Sequence, residues 1–252
     1  MTEQIVTGAP QGTPETGLAP EVAVLLAHAD DNMVLSQRLG EWISNAPELE
    51  LDIALGNIAL DHLGVARALY TRAGEIEGKG RDEDDLSMTR TERQFTNLLL
   101  VEQPNGDFAQ TIVRQLFLDV YQRLLWDLLA ASDDMALSGI AQRARKEAEY
   151  HFRFSSGWLV RLGDGTEESH RRTQDAVDSL WRFTAELFAG PSEIDRLAWE
   201  RTIAALFEEA KLTIPVDPYQ RSGGRTGFHT EHLGYLLAEM QWMQRSYPGF
   251  HW

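Results

Sequence analysis

The sequence predicts an all-α protein, a four-helix bundle carrying additional helices. Three observations carry that expectation. Apolar residues recur at helical spacing through one long stretch after another, with few competing strand signals. Clusters of Pro, Gly, Asn and Asp punctuate those stretches. One stretch, 48–73, is apolar on nearly every face, as a helix at the centre of a bundle must be.

The elements follow in order. A first helix is expected over 21–44, with Val24, Leu35, Leu39 and Trp42 on one stripe beside His28 and Asp31. Asn45-Ala46-Pro47 ends it, since the residue before proline is pushed out of the helical region. The second helix, 48–73, embeds Asn57, Asp61 and His62, which need partners because burying them unpaired is costly. A charged loop at 78–85 and a short helix over 91–100 come next. Pro104-Asn105-Gly106 makes a turn into a helix over 108–131, whose stripe is Phe108, Ile112, Gln115, Asp119, Gln122, Trp126 and Leu129.

After Ser132-Asp133-Asp134 comes the helix holding 143–162, RARKEAEYHFRFSSGWLVRL. On it Ala141, Ala144, Ala148, His151, Ser155, Trp158 and Leu162 share a stripe that is small or apolar apart from one imidazole and one hydroxyl. His151 is therefore expected to face the bundle interior. Gly163-Asp164-Gly165-Thr166 is read as its left-handed cap. Further helices are expected over 168–188, from Pro191 onwards with Ser192 as cap and Asp195 three residues on, and over 230–245.

Composition narrows the function classes. With 252 residues, 43% of them hydrophobic, the expected organisation is a flexible tail at 1–20 and one helical domain over 21–252. The tail has no basic region followed by an apolar one, so no secretory signal is expected and cytoplasm is the default. No run approaches the roughly 20 apolar residues that span a bilayer. The absence of cysteine excludes disulfides, thiolate metal sites and Cys-held iron–sulfur clusters. A net charge of −16 argues against nucleic-acid and anionic-membrane surfaces and suits solubility or a basic partner.

The polar residues form a pattern. Di-metal carboxylate bundles place one Glu on each of two helices and Glu-x-x-His on each of the other two, because residues three apart share a helix face. Here the second helix has Ala59-x-x-His62 and the fourth Ala148-x-x-His151, with Asp31 lying 28 residues before Ala59 and Asp119 lying 29 before Ala148. The layout is that of a di-metal bundle without its bridging carboxylates. Two readings stay open. In one, His62, His151, Asp31 and Asp119 pair with one another in a core that holds no metal. In the other, the same residues, helped by Glu147, hold metal for an oxidase. Weaker signals are His229-x-x-His232, which resembles a metal cluster, and Gly223-Gly224-Arg225, which lacks the spacing of a phosphate loop. A free-standing acyl-CoA binding module is a third possibility.

Six strings carry a resemblance: 33–42 (MVLSQRLGEW), 46–67 (APELELDIALGNIALDHLGVAR), 92–107 (ERQFTNLLLVEQPNGD), 149–166 (EYHFRFSSGWLVRLGDGT), 180–188 (LWRFTAELF) and 229–241 (HTEHLGYLLAEMQ). From about residue 22 to the end, the chain resembles the PaaC-type subunit of bacterial phenylacetyl-CoA epoxidases. The resemblance implies a ferritin-like fold and a place in aerobic phenylacetate degradation, in a monooxygenase that makes the ring 1,2-epoxide from molecular oxygen and NADPH-derived electrons. It further implies no cofactor in this chain, a di-iron site in a related catalytic subunit, and flavin and iron–sulfur groups in a reductase. This chain would be the non-catalytic structural companion in a hetero-oligomer, or a homodimer when isolated.

Overall fold

A computed structural model describes residues 17–190, 192–216 and 219–248; residues 1–16 of the expected tail lie outside it. The described residues are mostly helical and contain no strand. The bundle consists of α1 (Pro20–Gly40), α2 (Leu49–Glu77), α3 (Phe108–Leu129) and α4 (Met135–Gly163). Added to it are α5 (Glu167–Leu180), α6 (Arg196–Glu209), α7 (Glu231–Met240) and α8 (Trp242–Ser246). Asp107, Asp134, Thr166 and Asp195 cap α3 to α6, each side chain accepting from backbone N–H groups of the first turn.

Cross-links between helices give the direction of each. Asn32 meets His62 and Asp30 meets Tyr70, so α1 and α2 run antiparallel. Arg145–Asp127 and Arg123–Glu149 make α3 and α4 antiparallel. Arg72–Asp134 at one end and Asp61–His151 further along make α2 and α4 antiparallel as well. Helices α2 and α3 therefore run the same way, joined by the long crossover 78–107. Two hairpins with one crossover is the ferritin-like arrangement. Outside it, Phe117 packs among Trp181, Trp199 and Phe207, and Trp199 Nε1 donates to Phe117 O at 3.0 Å.

The crossover corrects one expectation. Residues 91–100 are not a helix. They hold one 3₁₀ turn, Glu92–Gln94, closed by a capping box with Thr91, and then run irregularly through the core. Phe95, Leu98, Leu100 and Val101 are fully buried, so the backbone there has no water to satisfy it. Carboxylates replace the water. Asp30 accepts from Thr96 N at 2.8 Å, Asp31 from Leu98 N at 2.7 Å and Glu186 from Leu99 N at 2.7 Å. These bonds outcompete the i to i−4 bonds that the local pattern favoured.

Smaller corrections have similar causes. The helix expected over 168–188 tightens to 3₁₀ geometry at Trp181–Phe188. Asp195 caps α6 in place of Ser192, whose hydroxyl lies 3.1 Å from His28 Nε2. The last helix breaks at Gln241, whose buried amide donates to Ser87 O and Arg90 O in the crossover. The residue after α4 is not left-handed: Asp164 has φ −94°. Gly163 serves close approach instead, because a Cβ there would collide with the carbonyl of Ala210.

Glu186 also accepts from Gly223 N and Gly224 N, both at 2.8 Å. Glu186→Ala is expected to leave three backbone donors unpaired, at about 1–3 kcal/mol each. Denaturant unfolding should show a loss of at least about 3 kcal/mol, with a matching rise in amide exchange at 96–101.

Candidate functional site

The inward faces of three bundle helices bring His62, Asp119 and His151 together, each buried, with their donor atoms all within 4.8 Å of one another. The two imidazole rings lie 4.9 Å apart, tilted by 45°. Of the five residues singled out in the sequence, these three converge and two do not. Asp31 points to the crossover, where Arg225 grips both of its oxygens at 2.9 and 2.7 Å. Glu147 turns outward to Arg143 at 3.0 Å. Ala59 and Ala148 are buried one turn ahead of the two histidines and contribute only methyl groups.

Hydrogen bonds close the cluster. His62 Nδ1 lies 2.8 Å from Asn32 Oδ1, which makes Nδ1 the protonated nitrogen. Its Nε2 then accepts, at a long 3.4 Å, from Gln115 Nε2, which also donates to Asp119 Oδ1 at 2.7 Å. Ser155 donates to the other Asp119 oxygen at 2.6 Å, and Gln122 donates to Asn32 Oδ1 at 3.2 Å. His151 Nε2 reaches Asp61 Oδ2 at 3.0 Å, while its buried Nδ1 has no hydrogen-bond partner among the described residues.

The electrostatics follow from burial. Desolvation, reinforced by the neighbouring His151, holds the His62 imidazole well below the ordinary histidine range, so it is neutral. Burial pushes the Asp119 carboxyl up to about 6, against the opposing pull of His151, Ser155 and Gln115. Burial likewise pushes Asp31 up, but the Arg225 guanidinium outweighs it and keeps that carboxyl below its usual range.

This donor set does not fit a two-metal centre. Such a centre needs carboxylates bridging the ions, and the two bridging positions are alanines. One imidazole already has both nitrogens engaged, and of the two nearby carboxylates only Asp119 stands among the converging donors, Asp61 being bonded to His151 Nε2. The sequence reading missed Asn32, Asp61, Gln115, Gln122 and Ser155 as members of the cluster. Gln115 and Gln122 did stand on the Asp119 stripe, and Ser155 on the His151 stripe. Arg225 stood in the Gly223-Gly224-Arg225 signal, but nothing local pointed to its carboxylate partner, 194 residues away. The two weaker signals resolve structurally. His229 bonds Glu102 Oε2 at 3.0 Å and Phe95 O at 2.8 Å, and the Gly223-Gly224 amides hold the Glu186 carboxylate.

The family described as phenylacetic acid catabolic protein matches residues 1–252. The chain belongs to that family. It is similar to the C subunit of the 1,2-phenylacetyl-CoA epoxidase of Escherichia coli (strain K12), 52% identical over 245 residues, covering 91% of this chain and 98% of that one. The ferritin-like fold and the link to phenylacetate catabolism expected from the six strings thus hold for the family. Among the described residues no helix is long and apolar enough to cross a membrane.

The two titrating groups of the cluster tilt stability in opposite directions. His62, neutral in the folded chain, contributes stability that is present above about pH 6.5 and is lost as pH falls. Asp119, raised from 3.8 to about 6, contributes stability that is full below about pH 4 and is lost as pH rises to about 6, on the order of 3 kcal/mol. His62→Gln is expected to leave only the second tilt. Denaturant midpoints between pH 4 and 6 should then fall more steeply with rising pH than in the wild type.

Proposed function

We propose that this chain is the non-catalytic structural subunit of a 1,2-phenylacetyl-CoA epoxidase in aerobic phenylacetate degradation. It carries no cofactor of its own and supports a catalytic bundle that holds the di-iron site, with flavin and iron–sulfur groups in a reductase partner. The observation that carries this reading is the pair Ala59 and Ala148, each one turn before an inward histidine. The relative's place as one of several subunits of that epoxidase supplies the assembly. What this chain's residues do at the bundle centre is hold the helices in register. Asn32 fixes the His62 tautomer, Gln115 and Ser155 fix the Asp119 carboxylate, and Asp61 orients His151.

The crowding of three donor groups within 4.8 Å favours a second reading, a metal oxidase built on His62, Asp119 and His151. Elemental analysis separates the two. The structural reading expects the purified chain to hold far less than one iron, manganese or zinc per molecule, and to make no epoxide alone. Two irons per chain, lost together in His151→Ala, would establish the second reading.

A further prediction concerns the assembled enzyme. His151→Ala removes the partner of Asp61 and should lower the melting temperature of this chain by a few degrees, consistent with about 1–3 kcal/mol. Epoxidation by the complex, measured per folded complex, should stay within about twofold of wild type.

A further inference from the structure

A cleft of about 790 Å³ lies where the start of α1, the crossover and the C-terminal segment meet, and none of the residues of the bundle-centre cluster lines it. Its size is that of clefts that enclose a small molecule. Leu18, Val24 and Ala27 give it an apolar wall, which Ala189 and Gly190 complete. Charge in the lining runs against the composition of the chain. The protein has 39 acidic residues against 23 Lys and Arg, yet the described residues of the lining include two arginines and no carboxylate.

The two arginines differ in what they have left to offer. Arg225 is held from one side, its Nη atoms bonding both Asp31 oxygens, Ala27 O and Thr96 O. Its Nε remains, a buried N–H with no hydrogen-bond partner among the described residues. A side chain at position 190 would begin 3.5 Å from that nitrogen, so glycine there keeps this edge of the guanidinium uncovered. Buried donors are normally paired, and an orphaned one beside a cleft marks a place for an acceptor. Arg93 supplies the free charge. It is exposed, lies over the Phe228 ring at 5.0 Å and donates to Gly227 O at a long 3.4 Å, with no carboxylate partner among the described residues.

We infer that this cleft binds an amphipathic monocarboxylate, its carboxylate drawn to Arg93 and the Arg225 Nε–H and its hydrocarbon body lying along the apolar wall. Asp31 neutralises Arg225, which leaves Arg93 as one net positive charge and matches a single negative one. A phosphate ester would bring more charge than the lining balances, and a sugar would leave its hydroxyls against aliphatic carbon. The site belongs to this chain alone and stands or falls independently of the proposed function.

Isothermal titration of the full-length chain with decanoate tests the site, with decan-1-ol as the uncharged counterpart. The acid is expected to saturate a single site and to bind about tenfold more tightly than the alcohol. Arg93→Gln, a change on an exposed side chain, should remove that preference by weakening the acid about tenfold while leaving the alcohol unchanged. Ala23 is exposed and lines the cleft, so Ala23→Trp should fill it and abolish binding of both without altering the helical circular dichroism. A flat titration of the wild-type chain with decanoate overturns the assignment. Equal affinity for acid and alcohol overturns it as well, and so does decanoate binding that survives both Arg93→Gln and Ala23→Trp.

Discussion

A stretch of irregular backbone runs through the core of this protein, and each of its N–H groups must be bonded without water. Most of the molecule's unusual features trace to that requirement. Asp30 and Asp31 on α1, Glu102 in the crossover and Glu186 beyond α5 are all buried carboxylates. Three of them hold crossover amides. The fourth, Glu102, accepts from Thr230 N and meets His229, tying the start of α7 to the same segment. Buried anions need counter-charges. Arg90 pairs with Asp30 and Arg225 with Asp31, and the two guanidiniums are themselves buried. The crossover, α1 and the C-terminal segment are thereby locked into one network.

That network sets the chemistry available at the bundle centre. Committed to Leu98 N and Arg225, Asp31 cannot also serve an ion between the helices. Its neighbour Asn32, about 100° further round α1, faces the centre instead and offers an amide oxygen to His62. On α3, Gln115 and Asp119 form a second amide–carboxylate set. The interior therefore keeps the polar residues of a metal-binding bundle and pairs most of their polar atoms with one another, His151 Nδ1 and Gln115 Oε1 being without a partner among the described residues. Two imidazoles 4.9 Å apart in a desolvated space disfavour double protonation, which is why burial and His151 together depress the His62 pKa.

With the centre closed, the exterior becomes the informative surface. A net charge of −16 hides a local reversal along α4, and α2 carries exposed aliphatics at Leu49, Ile53 and Leu60. Both helices spend glycines at exposed positions where alanine would serve the isolated chain better. Family membership and the 52% identity to an epoxidase subunit give those features a setting, that of a bundle shaped by what it supports.

The sequence by itself determined the long helices, the turns between them and the Ala-x-x-His repeat, because periodicity and turn chemistry are decided within a few residues. It also placed His62, His151 and Asp119 on inward faces. Only the tertiary structure decided that 91–100 would not be a helix, that Asp31 would face Arg225, and that Asn32 would take the inward place. In each case the deciding partner is remote: Glu186 lies 87 residues from Leu99 and Arg225 lies 194 from Asp31. A carboxylate on a helical stripe has the same local signature whether it will meet a metal, a guanidinium or a backbone amide. Desolvation makes that choice, and desolvation exists only once the chain has packed.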